Sequence, residues 1–160
     1  MELLAALENS AFGAWVRESP SPWAYPGVLF LHTVGLSFLV GLSVAIDLRL
    51  LGAARRLPVP PLARFYPVMW MGFGLNALSG VALFAANATT RATNPAFYFK
   101  MGFVTLAMIA LLMIRRSVVR QSTLGAGLGT LSDRVLAVAS LVCWTGVITS
   151  GRLMAYFGQG

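Results

Sequence analysis

The chain has 160 residues, of which 58% are hydrophobic and 11% are charged, and its formal net charge at pH 7 is +7. A soluble domain carries about 25% charged residues, so this composition excludes an ordinary soluble protein and favours lipid as the solvent. The basic residues fall mainly in two short loops and are not interleaved with aromatic residues, which argues against a nucleic-acid partner.

Residues 1–22 form an N-terminal segment ahead of the first long apolar run. It begins MELLAALENS, with acids where a signal peptide carries basic residues, so we do not expect a signal peptide. Its apolar residues recur at nearly helical spacing: Leu3, Leu4, Leu7, Ala11, Ala14 and Trp15. The segment is therefore predicted to be an amphipathic helix that lies in the membrane interface.

Four long apolar segments follow within residues 23–160, at 27–48, 65–87, 95–114 and 135–157. A transmembrane helix needs about 20 mostly apolar residues, and each segment meets that length. The sequence thus predicts an all-α fold, namely a four-helix transmembrane bundle with an interfacial N-terminal helix. Asn94 and Pro95 are typical of a helix N-terminus and mark the start of the third span.

The distribution of basic residues predicts the orientation of the bundle. Eight of the twelve lie in the connections between spans one and two and between spans three and four: Arg49, Arg55, Arg56, Arg64, Arg115, Arg116, Arg120 and Arg134. Arginine-rich loops stay in the cytoplasm, so both termini are expected on the outer side of the membrane.

Small residues at four-residue spacing mark one face on three of the spans, where helices can approach closely in lipid. These sets are Ser37, Gly41 and Ala45 in the first span, Gly72, Asn76 and Gly80 in the second, and Ala139, Cys143, Gly146 and Ser150 in the fourth, where the middle step is three residues. An amide that faces lipid is unfavourable, so we expect Asn76 to hydrogen-bond a neighbouring helix. The same faces would also serve a homodimer.

Three basic or potentially basic side chains fall at matching depth near the outer ends of three spans. His32, the single histidine of the chain, lies about 8 Å into the first span, with Lys100 and Arg152 at similar depth in the third and fourth. Tyr98 and Tyr156 stand at the same level. Groups of one charge in lipid call for an anionic partner, such as a lipid phosphate, haem propionates, a reduced quinone headgroup or a carboxylate of a partner subunit.

A haem b would use all three groups, with its iron on His32 and its propionates on Lys100 and Arg152. A second iron ligand would then come from Met101, Met154, a second copy of the chain or another subunit. The alternative is that His32 is a neutral imidazole bonded to a hydroxyl or a carbonyl, while the other two side chains extend to the interface.

Asp47 lies at the opposite end of the first span. We expect it to pair with one of four arginines, Arg49, Arg64, Arg115 or Arg134, and to fix that end of the bundle. A proton-relay role is the alternative. The sequence has no nucleophile–histidine–acid set, paired carboxylates, phosphate loop or zinc-ligand spacing, so we do not expect catalysis by this chain alone.

Four segments, LHTVGLSFLVG, DLRLLG, NPAFYFK and GRLMAY, resemble a bacterial family of small four-span inner-membrane proteins. The resemblance extends from Trp23 to Tyr156 and implies a multi-pass protein of the bacterial inner membrane, without an activity to carry over. The architecture is also similar to four-helix b-type cytochromes and to copper-resistance membrane proteins, which carry histidines on two or more helices.

These features favour a non-catalytic membrane subunit of an electron-transfer or membrane-enzyme assembly, with haem b or a quinone bound in the outer leaflet. The expected partners are membrane lipid and either further copies of the chain or other subunits. Two alternatives stay open. One is a small-solute or proton transporter lined by His32, Asn76 and Asp47, and the other is a purely structural or lipid-binding assembly subunit.

Overall fold

The computed structural model describes residues 1–53, 64–124 and 130–157, although not the side chains of residues 120–124, 155 and 157. This part of the chain is helical apart from short turns. In chain order the helices are α1 Glu2–Glu8, α2 Ala11–Glu18, α3 Tyr25–Leu51, α4 Tyr66–Ala86, α5 Ala88–Thr93, α6 Pro95–Leu124 and α7 Leu131–Phe157.

Four of these helices, α3, α4, α6 and α7, are long and apolar enough to cross a bilayer. They confirm the predicted all-α fold and the four spans, and the chain is a multi-pass membrane protein. The largest difference from the prediction is at the end of the third span, which was expected at residue 114, whereas α6 continues to Leu124. The helix continues because arginine is a good helix former, so a charge ends the apolar run without ending the helix.

Local signals in the sequence explain where the spans begin and end. Gly52 ends α3 in the left-handed conformation, with φ of 91°, which glycine adopts without strain. The Asn94 side chain accepts a hydrogen bond from the backbone N–H of Ala96 at 2.9 Å and so caps α6, as predicted. Thr130 and Asp133 cap α7 reciprocally, each side chain accepting from the backbone N–H of the other residue.

The spans form an antiparallel bundle in which α3 packs against α4 and α7, and α6 packs against α7. Side chains also link α4 to α6, because the rings of Phe84 and Phe97 stack at a centroid distance of 5.3 Å. One end of the bundle contains His32 and both chain termini of the described part, and we call it the histidine end. The opposite end contains Asp47, and we call it the aspartate end.

Glycines of α3 and α4 bring the backbones of these two spans into close contact. A Cβ atom on Gly35 would lie 2.7 Å from the backbone oxygen of Gly72, and one on Gly72 would lie 2.9 Å from the backbone oxygen of Gly35. The predicted small-residue face of α4 therefore meets α3. The predicted face of α3 does not meet α4, because Ser37, Gly41 and Ala45 are exposed. Since α3 is apolar on all sides, small residues recur on more than one face and their spacing does not select the interface.

Large apolar side chains fill the bundle from its middle to the aspartate end. This core contains Leu39, Ile46, Leu50, Met69, Leu111, Ile114, Val118 and Val147, all buried. The buried indole of Trp144 donates a hydrogen bond to the Ser43 hydroxyl at 2.9 Å, which joins α7 to α3 through a satisfied polar pair.

The N-terminal segment forms two short helices rather than one. Ser10 separates them and caps α2, since its hydroxyl accepts from the backbone N–H of Gly13 at 3.1 Å. α2 packs on α4 with Val16 fully buried, and α1 packs on α5. The Glu8 carboxylate accepts from both the backbone N–H and the hydroxyl of Thr89. These contacts dock the segment on the histidine end, and its place in the membrane interface remains a prediction.

The two glycines of the α3–α4 contact generate a stability prediction. Gly35→Ala should lower the free energy of unfolding by about 1–3 kcal/mol, because the added methyl group overpacks a backbone contact. Gly41→Ala on the same helix is the matched control, since its Cβ would meet no atom within 4 Å. The control should be neutral or slightly stabilising. Unfolding of the purified variants in mixed micelles measures both, and equal stability of the two variants would contradict the contact.

The Glu8 contact generates a pH prediction. Hydrogen bonds from Thr89 hold the pKa of the Glu8 carboxyl below its usual value, and the Arg17 charge adds to this effect. A carboxyl with a lowered folded-state pKa stabilises the docked state above its ordinary pKa of about 4.3, and that contribution disappears as the pH falls through the folded-state pKa. Hydrogen-exchange protection factors of α1 and α2 should therefore decrease with acidification.

The controls for this experiment are Glu8→Gln, which should remove the pH dependence, and Glu2→Gln, which should preserve it because Glu2 is exposed on the same helix. Protection factors in the unmodified chain that stay constant over this acid range would show that Glu8 does not hold the segment.

Candidate functional site at the histidine end

His32 lies near the start of α3 and its imidazole packs against α4. The ring fits there because residue 80 is glycine: a Cβ atom at Gly80 would lie 3.1 Å from the ring carbon Cε1 of His32. The small residue thus provides the space for a half-buried imidazole between two membrane helices.

Two polar residues of α4 hold this imidazole. Its Nδ1 atom lies 2.9 Å from the backbone oxygen of Asn76 and 3.1 Å from the Ser79 hydroxyl. A carbonyl oxygen only accepts hydrogen bonds, so Nδ1 carries a proton and donates it. In return, the Asn76 side-chain amide donates to the backbone oxygen of His32 at 2.8 Å. The prediction that Asn76 hydrogen-bonds a neighbouring helix is confirmed.

Lys100 reaches the other nitrogen of the ring from α6. Its Nζ atom lies 3.5 Å from Nε2 of His32, at the limit of a hydrogen bond. An ammonium group only donates, and Nδ1 already holds a proton, so the contact is favourable when Nε2 is unprotonated. The geometry therefore indicates a neutral imidazole with its proton on Nδ1, which was the predicted alternative to iron ligation.

The surroundings of this pair are positively charged. Arg91 on α5 repels the Lys100 ammonium and disfavours a positive charge on His32. Within the described ranges no acid pairs with Lys100, and the Glu8 carboxylate is already engaged by Thr89 and Arg17. The histidine end thus holds a partly buried ammonium without a counter-ion in the described part of the chain.

The other predicted site residues lie outside this contact. Arg152 and Tyr156 are exposed on α7, and neither hydrogen-bonds His32 or Lys100 in the described structure. Tyr98 is also exposed, and its hydroxyl donates to the backbone oxygen of Ala92 at 2.8 Å, which ties α6 to α5. The structure therefore brings two of the three predicted basic groups together.

Sequence reasoning missed Ser79 and Arg91 as members of this site. Ser79 lies three residues after Asn76, so helical spacing places both on one face of α4. That spacing was an available signal. Arg91 carried no comparable signal, because its position depends on the short helix α5 that follows the α4 span.

The predicted ion pair of Asp47 is not observed with any arginine in the part of the chain that the structure describes. Asp47 is fully buried between helices rather than placed at the surface where the arginines are. The carboxyl group faces the core because helix periodicity places Asp47 on the same side of α3 as the buried residues Ser43 and Leu39.

The arrangement around His32 also bears on haem. Iron would bind at Nε2, since Nδ1 is used as a donor, but Nε2 faces the Lys100 ammonium. A cation at that position disfavours a metal ion there, and the His32 ring edge is packed against Gly80. In this conformation the residues do not fit haem ligation by His32.

Comparison of the chain with protein-family models, with curated proteins and with solved structures finds no match.

Proposed function

We propose that the protein is a non-catalytic membrane subunit of an electron-transfer or membrane-enzyme assembly, and that it binds a quinone headgroup at the His32–Lys100 pair. The observation that carries this proposal is the Lys100 ammonium, which lies within a span, 3.5 Å from Nε2 of His32, and pairs with no acid among the residues that the structure describes. Charged groups inside a span mark functional positions and call for a partner.

The chemistry of the pair suits a ligand that presents oxygen atoms. Lys100 donates to a headgroup oxygen, and the charge of the ammonium strengthens that bond. Nε2 of the neutral His32 accepts a hydrogen bond from the hydroxyl of the reduced form when Lys100 turns from Nε2 to a headgroup oxygen. A quinone, when bound, would supply the electron-carrying chemistry, while the two side chains orient it.

The surface of α6 offers a place for the apolar tail of such a ligand. A groove of about 340 Å³ lies on this helix at the level of Lys100, lined by Tyr98, Phe99, Gly102, Phe103 and Leu106. Its lining is almost wholly apolar, as an isoprenoid tail requires. This supports a quinone over a small soluble anion.

The middle of the bundle supports a binding subunit over a transporter. Leu39, Leu111 and Val147 fill the space between the histidine and aspartate ends, and they are buried in one continuous apolar core. A path lined by His32, Asn76 and Asp47 would have to cross this core. The spans also run without the interruptions typical of transporter sites.

The orientation is part of the same proposal. The arginines at the aspartate end with described side chains are Arg49, Arg64, Arg115, Arg116 and Arg134, while Arg55 and Arg56 lie outside the described residues. This excess supports a cytoplasmic aspartate end and an outward histidine end in a bacterial inner membrane, with the quinone in the outer leaflet.

Equilibrium binding tests the proposed site. A short-tail benzoquinone is titrated into the full chain in nanodiscs, and binding is followed by calorimetry. Lys100→Met should weaken the affinity roughly ten- to a hundredfold, because a hydrogen bond to a charged group contributes about 1.5–3 kcal/mol. Thr105→Val is the matched control on α6, since its exposed hydroxyl bonds only to the backbone of its own helix.

Two outcomes would overturn the quinone site: no binding by the unmodified chain, or equal affinity of the Lys100→Met and Thr105→Val variants. The visible spectrum of a haem-replete preparation tests the haem version. A Soret band in the unmodified chain that disappears in His32→Ala would show that the site binds haem rather than a quinone. Iron ligation would then require Lys100 to leave Nε2.

A further inference from the structure

Asp47 at the aspartate end is the most unusual polar group of the bundle outside the quinone site. Its side chain has no exposed surface, and neither carboxyl oxygen has a hydrogen-bond partner. No described arginine or lysine forms an ion pair with it. An ionised carboxylate in this environment would carry the full desolvation penalty without compensation.

The neighbours of Asp47 on the adjoining helices are hydroxyl groups. The Tyr66 hydroxyl from α4 and the Ser140 hydroxyl from α7 are both buried and also lack hydrogen-bond partners. Both hydroxyl groups lie near enough to Asp47 to interact electrostatically with its carboxyl group. Three unsatisfied polar groups from three helices thus share one buried region.

The cationic and remaining polar groups around this region are otherwise engaged. The Arg115 guanidinium of α6 lies 5.6 Å from the centre of the Tyr66 ring, over its face, as in a cation–π contact. Trp144 of α7 gives its N–H to Ser43, one turn before Asp47 on α3. Arg49 follows Asp47 by two residues and has interactions of its own.

Asp133 provides an internal comparison, because it is the second aspartate of the chain and is also buried. It accepts hydrogen bonds from the Ser117 and Thr130 hydroxyls and from the backbone N–H of Thr130. It also lies in the first turn of α7, where the helix dipole favours negative charge. Its surroundings suit a carboxylate, and those of Asp47 offer none of these features.

We propose that Asp47 is a proton-binding site, at which the carboxyl is held as the neutral acid by its burial among Tyr66 and Ser140. The neutral form removes the buried charge. After side-chain rotation, its O–H would donate to the Ser140 oxygen and its carbonyl oxygen would accept from the Tyr66 hydroxyl. The site lies about one helical turn from the end of α3 at Leu51. A local opening there lets the acid release its proton to water at that membrane surface and take one back.

This site is independent of the quinone proposal, because Asp47 lies 15 residues from His32 on α3, about 22 Å along the helix. A sodium ion is the competing occupant, since it would also compensate a buried carboxylate. The protein offers few oxygens for it, because the spans are continuous and their backbone carbonyls are used within the helices. The two occupants make opposite predictions about the protonation of Asp47.

Infrared spectroscopy of the full chain in nanodiscs distinguishes them. With aspartate labelled by carbon-13 at the side-chain carboxyl, the carbonyl stretch of a protonated acid at neutral pH should shift with the label. Asp47→Asn should abolish this band, and the matched control Asp133→Asn should retain it. Exchange of sodium for choline should leave the band unchanged. Should Asp47→Asn not fold, Ser140→Ala replaces it and should shift the frequency of the labelled band.

Three results would overturn the proposal. The first is the absence of a labelled acid band at neutral pH, which would show that Asp47 is ionised. The second is a band that disappears with Asp133→Asn or stays unshifted in Ser140→Ala. The third is a band that sodium removes, which would make the site a cation site. None of these results depends on whether a quinone binds at the opposite end.

Discussion

The close approach of α3 and α4 at Gly35 and Gly72 is the contact on which the histidine end depends. At this point the two backbones nearly touch, since a methyl group on either glycine would overlap the other helix. Only at such a distance can the Asn76 amide reach the backbone oxygen of His32, and only then does the imidazole lie within reach of Ser79. The glycines therefore set the position of the ring, and the ring sets the position that Lys100 can take on the third span. Gly80 completes the arrangement by leaving room for the ring edge.

The two ends of the bundle carry opposite and uncompensated polar groups. Lys100 at the histidine end has no acid from the described chain, and Asp47 at the aspartate end has no described base. An apolar core separates them, so they cannot neutralise each other. At one end the imbalance favours a ligand that brings oxygen acceptors, and at the other it favours uptake of a proton. Both proposals thus follow from one physical rule, that a charge within a lipid-embedded bundle must be compensated or removed.

Much of the fold was predictable because lipid imposes simple requirements on length and composition. The four spans and the Asn94 cap follow from apolar length and from helix-end chemistry, and both were found. The bond of Asn76 to a neighbouring helix was predictable because an amide in lipid has few alternatives.

The packing face of α3 was not predictable, because a helix that is apolar all round gives no pattern from which to choose Gly35 over Gly41. The sequence predicted that Lys100 and His32 lie at the same depth in the membrane. That Arg152 does not join them depends on the rotation of α7 about its axis, which the sequence does not reveal. Asp47 forms no ion pair with a described arginine because its side chain is buried in the core, whereas the expected pairing assumed that it faces the membrane surface.

The histidine end depends on His32 being a neutral imidazole that donates through Nδ1 to α4 and faces the Lys100 ammonium with an unprotonated Nε2. Because the chain has one histidine, nitrogen-15 labelling of histidine gives a single pair of ring signals, which solid-state NMR in lipid can read without further assignment. We expect one protonated and one unprotonated nitrogen at neutral pH, with the proton on Nδ1 and a change in the Nε2 signal in Lys100→Met. A doubly protonated ring, or a neutral ring with its proton on Nε2, would contradict the arrangement of the site.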